Sequence, residues 1–386
     1  MTPTEVNSSL VGVVRRWMLK KNSYQGKTGG VFLWTLSGSS TAANDLRGVR
    51  KEKHCLRNRV SRFTPKSECD SINSGNNSED MRGVPSSGRE SYVFQANKPR
   101  GLLGVHADLI EKALGPEEGL LYLLYSPIFP EKKGPFGLHA TPASHAVAVT
   151  KNRFIISENR HMKGIAPTIQ SIPFDQVLYV QLGSALSLGW FAIQIVENEK
   201  PFRTTLFFTV TGMAHFETLI REYRRMTGAN GDRFPKKIDW VDIWHRTPMT
   251  QVDRLRSLVL KEELPFSMLR SSELWILRKR RWKSIPACLS TNGILVSTNF
   301  GFIHATDEPC IRPKIFSFGV NVSCIPYHAF KSAQLLEKWM HGRLLPFLRL
   351  ELARGSIIVD FDIPFDGDGL KEAEALLCFL ISKIKN

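Results

Sequence analysis

The sequence predicts a mainly β fold with a few helices, in which one small unit is used twice in tandem behind a largely disordered N-terminal segment. Two observations carry this. Strand–turn–strand motifs recur, one pair offset by 140 positions and the next by 153, and each series of hairpins ends in an amphipathic helix. A third is the change of composition near residue 100.

The chain has 386 residues, 42% of them hydrophobic and 23% charged, which is globular and long enough for two domains with real cores. Its formal charge is +16, of which +9 falls on residues 1–100 and +7 on the rest. The high basicity therefore says little about the folded part. A basic segment attracts any polyanion, and charge alone does not choose between nucleic acid and anionic lipid. Residues 71–80 (SINSGNNSED) and 83–88 (GVPSSG) have too little apolar surface to offset their ordering entropy. The apolar patch 31–36 (VFLWTL) is too short to span a bilayer or to serve as a signal-peptide core. Arg15, Arg16, Lys20, Lys21 and Lys27 with few acids have the flavour of a transit segment, but a flexible extension is the simpler reading. The expected organisation is a disordered basic extension over 1–100, a first domain with its preceding helix over 101–227, a linker and helix over 228–267, and a second domain over 268–386.

Val105, Leu109, Ile110 and Leu114 recur at helical spacing, and Gly115-Pro116 ends that run. Next, 149–157 (VTKNRFIIS) reads as strand, polar turn, strand, and 172–177 (IPFDQV) as a short strand. Residues 176–196 carry no charge and could pass for a membrane helix. Their internal glutamines, serines and glycines, with β-branched and aromatic residues at both ends, predict two strands joined by a turn over 183–189. The segments 190–196 and 204–210 form a hairpin. Met213, Phe216, Leu219, Ile220 and Tyr223 then share a helix face. Residues 228–235 are a linker, and Trp240 and Trp244 read as interdomain packing. Val252, Leu255, Leu258, Val259 and Leu260 mark a connecting helix. The second copy repeats the order: 289–297 (LSTNGILVS), 325–330 (IPYHAF), and a hairpin of 347–352 with 357–363. A closing helix presents Leu370, Ala373, Leu377, Leu380, Ile381 and Ile384, with Asp366 and Asp368 at its start. About 13 extra residues of the second copy are expected in the loop 304–313.

This plan resembles the pleckstrin-homology-like fold, and the copy at 115–226 is most similar to bacterial PH-like and GRAM-type domains. The resemblance is carried by TKNRFII at 150–156 and by Ile172-Pro173-Phe174; the second copy departs from it where Gly293 replaces the arginine. The resemblance implies two tandem PH-like barrels of antiparallel sheets, each closed by a C-terminal helix. It implies little about function, because such folds serve lipid, peptide and scaffold roles.

Five cations in six residues, Arg278, Lys279, Arg280, Arg281 and Lys283, fall where the first strand of the second copy turns toward its second. In lipid-binding members of that fold this loop grips phosphates, so the resemblance makes these residues the anion- or lipid-binding candidates. Cations converging at a barrel mouth focus potential on phosphate, whereas in a strand alternate side chains diverge. The competing readings are a solvated edge strand guarded against aggregation and contact with nucleic acid. Copy one has only Glu131, Lys132 and Lys133 in that place.

His304, Cys310, Cys324 and His328 have zinc-ligand atom types but lack a paired-cysteine turn, so no metal is assigned. The six cysteines (55, 69, 288, 310, 324, 378) form no framework or CxxC pair, which suits a reducing, cytoplasmic setting. His139 and His145 have no acid near them in sequence, and Asp360 and Asp362 alternate on a solvent-facing strand. With no nucleophile elbow, phosphate loop or HExxH, the chain is read as non-enzymatic and without a cofactor. The expected function is a cytoplasmic binding or adaptor protein that engages a protein partner or, peripherally, an anionic membrane. Nucleic-acid binding through the basic N-terminal segment and a metal-dependent enzyme are the alternatives.

Overall fold

The computed structural model describes residues 92–128, 143–160, 164–185, 187–228, 238–280, 283–308, 319–340 and 343–384. All of these belong to one unit, Ser78–Asn386. The expectations for the segment before residue 92 and for linker residues 229–237 lie outside the described residues.

The fold is mainly antiparallel β. After a two-residue strand β1 (Phe94–Gln95) and helix α1 (His106–Ala113) comes a meander of β2 (Leu120–Ser126), β3 (Ala143–Thr150), β4 (Arg153–Arg160) and β5 (Thr168–Pro173). With β1 these form a five-stranded sheet ordered β1-β2-β3-β4-β5. Every residue of β3 is buried, because both faces of the sheet are covered. Ala146, Ala148 and Ile155 meet α1 on one face, while Val147, Val149, Phe154 and Ile156 enter the main core on the other. Helix α1 is fixed by His106, whose Nδ1 and Nε2 lie 2.7 and 2.9 Å from the hydroxyls of Ser157 and Ser144.

A 3-10 turn at Phe174–Gln176 leads into β6 (Val177–Ala185), β7 (Leu188–Glu197) and β8 (Lys200–Thr209), and α2 (Met213–Thr227) closes the run. The uncharged stretch 176–196 is thus a β6–β7 hairpin, and no helix among the described residues is long and apolar enough to cross a membrane. The turn is tighter than expected. Gly183 is inside β6 as the cross-strand partner of Trp190, and a Cβ on Gly183 would stand 2.1 Å from the indole, so the glycine makes room for the ring. Met213, Phe216, Leu219, Ile220 and Tyr223 all enter the core, as their spacing predicts.

Helices α3 (Trp240–Arg246) and α4 (Met249–Leu258) lead to the second run. Trp240 and Trp244 stack with centroids 4.8 Å apart and pack on the main core. The second run consists of β9 (Pro265–Ser271), a hairpin of β10 (Leu274–Arg280) and β11 (Lys283–Ser290), then β12 (Gly293–Thr298), β13 (Gly301–Asp307) and β14 (Gly319–Ile325). A 3-10 turn at Tyr327–Ala329 precedes β15 (Phe330–Met340), β16 (Arg343–Arg354), β17 (Ile357–Pro364) and α5 (Leu370–Ile384). The order four strands, 3-10 turn, three strands, helix therefore occurs in both runs, with β10–β11 interposed in the second.

The matching positions differ from those expected. Segment 149–157 spans the β3–β4 turn, whereas 289–297 is the turn out of the interposed hairpin into β12. In strand order the counterpart of β3–β4 is β12–β13, and both turns are closed by a threonine hydroxyl. Thr150 Oγ1 lies 3.2 Å from the carbonyl and 3.2 Å from the N–H of Arg153; Thr298 Oγ1 lies 3.0 Å from the Gly301 carbonyl and 3.1 Å from the Phe300 N–H. Thr298 follows Thr150 by 148 positions and Ile325 follows Ile172 by 153, so the excess between these two points is five residues.

No sheet closes into a barrel among the described residues. The edges that closure would use are consumed elsewhere: β6 of the first run pairs with β14 of the second, from Gly319↔Ala185 to Cys324↔Val180. This satisfies two edges at once and makes one seven-stranded sheet, β8-β7-β6-β14-β13-β12-β9. Its one face bears the main core, shared with α2, α4 and the five-stranded sheet; the second core lies between its other face, the β15-β16-β17 sheet and α5. Helix α5 buries Ala373, Leu376, Phe379 and Leu380; of the predicted face, Ala373 and Leu380 are buried, Leu370 packs on the second core and Leu377 is half-buried, while the side chains of Ile381 and Ile384 lie outside the described ones.

Candidate functional site

The β10–β11 hairpin is rooted by polar contacts. Glu273 N–H donates to Asn292 Oδ1 (3.1 Å), Thr291 Oγ1 to the Asp307 carbonyl (2.6 Å), Gln251 Nε2 to the Asn292 carbonyl (2.8 Å), and Ser272 Oγ to Asp366 (2.7 Å). Beyond this root the two strands pair, among the described residues, with each other alone. The register runs from Leu274↔Ser290 to Arg278↔Ile285, Lys279↔Ser284 and Arg280↔Lys283. Four of the five predicted cations thus hold the last three register positions at the free end of a two-stranded arm; Arg281 lies outside the described residues. Arg280 and Lys283 are direct register partners.

At the matching end of the first run, three residues that sequence reading left apart form one row: Ser126 on β2, His145 on β3 and Glu158 on β4. The sequence did hold a signal. With the turn at Lys151 and Asn152, hairpin counting sets His145 opposite Glu158. Ser126 and His145 are buried, and Ser126 Oγ and His145 Nδ1 have no hydrogen-bond partner among the described residues. Burial pulls the imidazole down to about 4, against the opposing pull of Glu158, so it is neutral at pH 7. His145 Nε2 is 3.9 Å from Glu158, beyond hydrogen-bond reach, and Glu158 is bonded to Arg160 instead. An imidazole that weak as a base, with no hydrogen bond to the serine, does not activate a nucleophile. The second run has Ser271, Gly293 and Thr306 in the same row, and a Cβ on Gly293 would meet Ser271 Oγ at 2.5 Å. The histidine has no counterpart there.

The other sequence candidates separate. His304 pairs in register with Ser323, while Cys324 pairs with Ile303, so the two side chains leave opposite faces of the sheet. His328 Nε2 lies 3.1 Å from the Val177 carbonyl. Cys310, His139 and the 131–133 cations lie outside the described residues, and no metal-binding cluster occurs among the described ones. Asp360 and Asp362 are both occupied by Arg349, at 2.7 and 2.8 Å, and Asp362 also by Lys338. Burial pushes Asp362 up, but the bonds from Arg349 and Lys338 outweigh it and hold the carboxyl below its ordinary value.

No protein-family model matches this chain, and no curated protein matches it. The functional reading rests on the chemistry of these residues. Of the sequence candidates, the β10–β11 tip gathers four cations at three successive register positions. In the Ser126 row, Ser126 and His145 are buried and Glu158 is paired with Arg160, while the Asp360–Asp362 pair is held by Arg349.

Proposed function

We propose that the chain is a non-enzymatic binding protein made of two PH-like units in tandem, open-edged rather than closed, which engages an anionic surface through the β10–β11 arm. The recurring element order and the two threonine-closed turns support the tandem reading. The observation that carries the function is the arm itself: a hairpin anchored at its base, with Arg278, Lys279, Arg280 and Lys283 at its free end. Each cation near an anionic bilayer contributes about 1 kcal/mol, so a cluster suffices for reversible peripheral binding. Edge strands such as β5 and β8 offer a protein partner backbone groups for strand addition.

Sedimentation with phosphatidylserine-containing vesicles tests the reading. The protein is expected to pellet with them and to stay in solution with phosphatidylcholine alone. The triple change Arg278→Glu, Arg280→Glu and Arg281→Glu should abolish pelleting. Unaltered pelleting of that variant would assign the binding to another surface.

A further inference from the structure

The β15–β16 hairpin outruns its sheet. In the first run the third strand covers the hairpin to its end: β6 and β7 close at Ala185↔Leu188, and β8 pairs with β7 up to Leu188↔Thr209. In the second run β17 stops at Phe347↔Pro364, and positions 343–346 of β16 pair, among the described residues, with β15 alone. A two-stranded ribbon has little stability of its own. Its end is apolar. From Leu335↔Leu348, which packs on the second core, alternate pairs lead through Glu337↔Pro346 to Trp339↔Leu344, whose exposures are 66% and 40%. The opposite face is braced by Lys338, which lies 5.1 Å from the Phe347 ring centre and bonds Asp362. The ribbon is rooted beside the β10–β11 arm. Phe365 N–H donates to the Pro346 carbonyl at 3.2 Å, and the next residue, Asp366, accepts from Ser272 Oγ at 2.7 Å, two residues before β10 begins. A basic projection and an apolar one thus start from adjoining points.

We propose that Trp339 and Leu344 enter the headgroup boundary of an anionic bilayer while the neighbouring arm engages its phosphates. The inference rests on the membrane reading of the arm and adds an apolar anchor to it. Tryptophan suits that depth, because its ring body is apolar and its indole N–H stays wet. Charge selects the occupant. Lys338 and Arg343 flank the apolar pair in sequence, and Glu337 is the only acidic residue from 332 to 350. Cations around an apolar tip fit an anionic interface, where burial and electrostatic attraction add. Two copies meeting through this ribbon would instead set like charges against each other.

Sedimentation of the full chain with phosphatidylserine-containing vesicles tests it. Trp339→Ser with Leu344→Ser should lower vesicle affinity about tenfold or more and leave the urea midpoint near that of the parent. Trp339→Phe should keep binding but lose part of the tryptophan quenching by lipids brominated in their acyl chains. The triple arm variant Arg278→Glu, Arg280→Glu and Arg281→Glu separates the two readings. Binding lost there and unchanged in the serine variant overturns the apolar anchor and leaves the arm standing; the reverse result overturns the arm and supports the anchor. Quenching equal in the parent and Trp339→Phe overturns the anchor, as does a parent that dimerises without vesicles while Trp339→Ser is monomeric, which would assign the tip to a second copy.

Discussion

Arg224 and Glu263 form an ion pair withdrawn from solvent, with side-chain exposures of 3% and 0%, where the end of α2 meets the approach to β9. The guanidinium also bonds the Leu258 carbonyl, the carboxylate accepts from Leu260 N–H at 2.8 Å, and Trp240 Nε1 donates to the Glu263 carbonyl at 2.9 Å. Burial opposes the charge on Arg224, and Glu263 outweighs it, keeping the arginine ionised. One pair thus ties the closing helix of the first run to the opening strand of the second.

Removing one partner leaves a buried charge unmatched. Arg224→Met or Glu263→Gln is expected to cost about 3–5 kcal/mol, read from urea denaturation. The double variant Arg224→Met with Glu263→Leu should recover much of that loss. Equal loss in the single and double variants would show that shape, and not charge matching, governs the site.

Thr150 and Thr298 close equivalent turns, so the two sites should respond alike. Thr150→Val and Thr298→Val are each expected to destabilise by roughly 1 kcal/mol. A measurable cost at one position and none at the other would count against their equivalence.

Acid should weaken the fold in two windows. Burial holds His145 and His304 at about 4, below their ordinary 6.5. Groups depressed in this way lend stability that is complete above pH 6.5 and lost as pH falls toward 4. Glu118 is brought to about 2, chiefly by its bond from Arg153, so its contribution fades only between 4.5 and 2. Denaturation midpoints measured across pH 4–7 should fall toward acid, and the slope should flatten in His145→Gln with His304→Gln. Equal slopes in the parent and in the double variant would contradict the buried neutral state of the histidines.

Gly301 combines φ +118° with a backbone carbonyl, that of Ile325, 2.3 Å from where a Cβ would sit. Gly301→Ala strains the β12–β13 turn through both, and should lower the thermal midpoint by several degrees, more than Gly355→Ala, which has φ +60° and open space.

The local elements were legible because they depend on local pattern. The α2 face followed from residues three and four apart, and the β6–β7 hairpin from charge-free strands broken by polar and glycine residues. What failed depended on partners distant in sequence. Gly183 reads as a turn residue until Trp190 is known to lie across it. The two separate barrels expected from resemblance did not anticipate the β6–β14 seam, a pairing of residues such as Gln181 and Ser323, 142 positions apart, that no local pattern encodes. The Ser126–His145–Glu158 row lay half within reach: the β3–β4 turn gives His145 and Glu158, but the long β2–β3 connection hides Ser126. The position of the basic run between first and second strands was readable. Its standing as a separate two-stranded arm was not, since the same residues also fit an extended edge strand.

The arm can be removed without unpicking the sheet, because Leu274 and Ser290 are register partners and the contacts of Ser272, Glu273, Thr291 and Asn292 lie outside the excision. Replacing residues 275–289 by Asn-Gly, a two-residue hairpin turn, therefore gives the most direct measurement: partition of the shortened protein onto phosphatidylserine vesicles, alongside its urea midpoint. A near-parental midpoint with vesicle binding lost is the expected result. Full vesicle binding by the folded, arm-less protein would contradict the account.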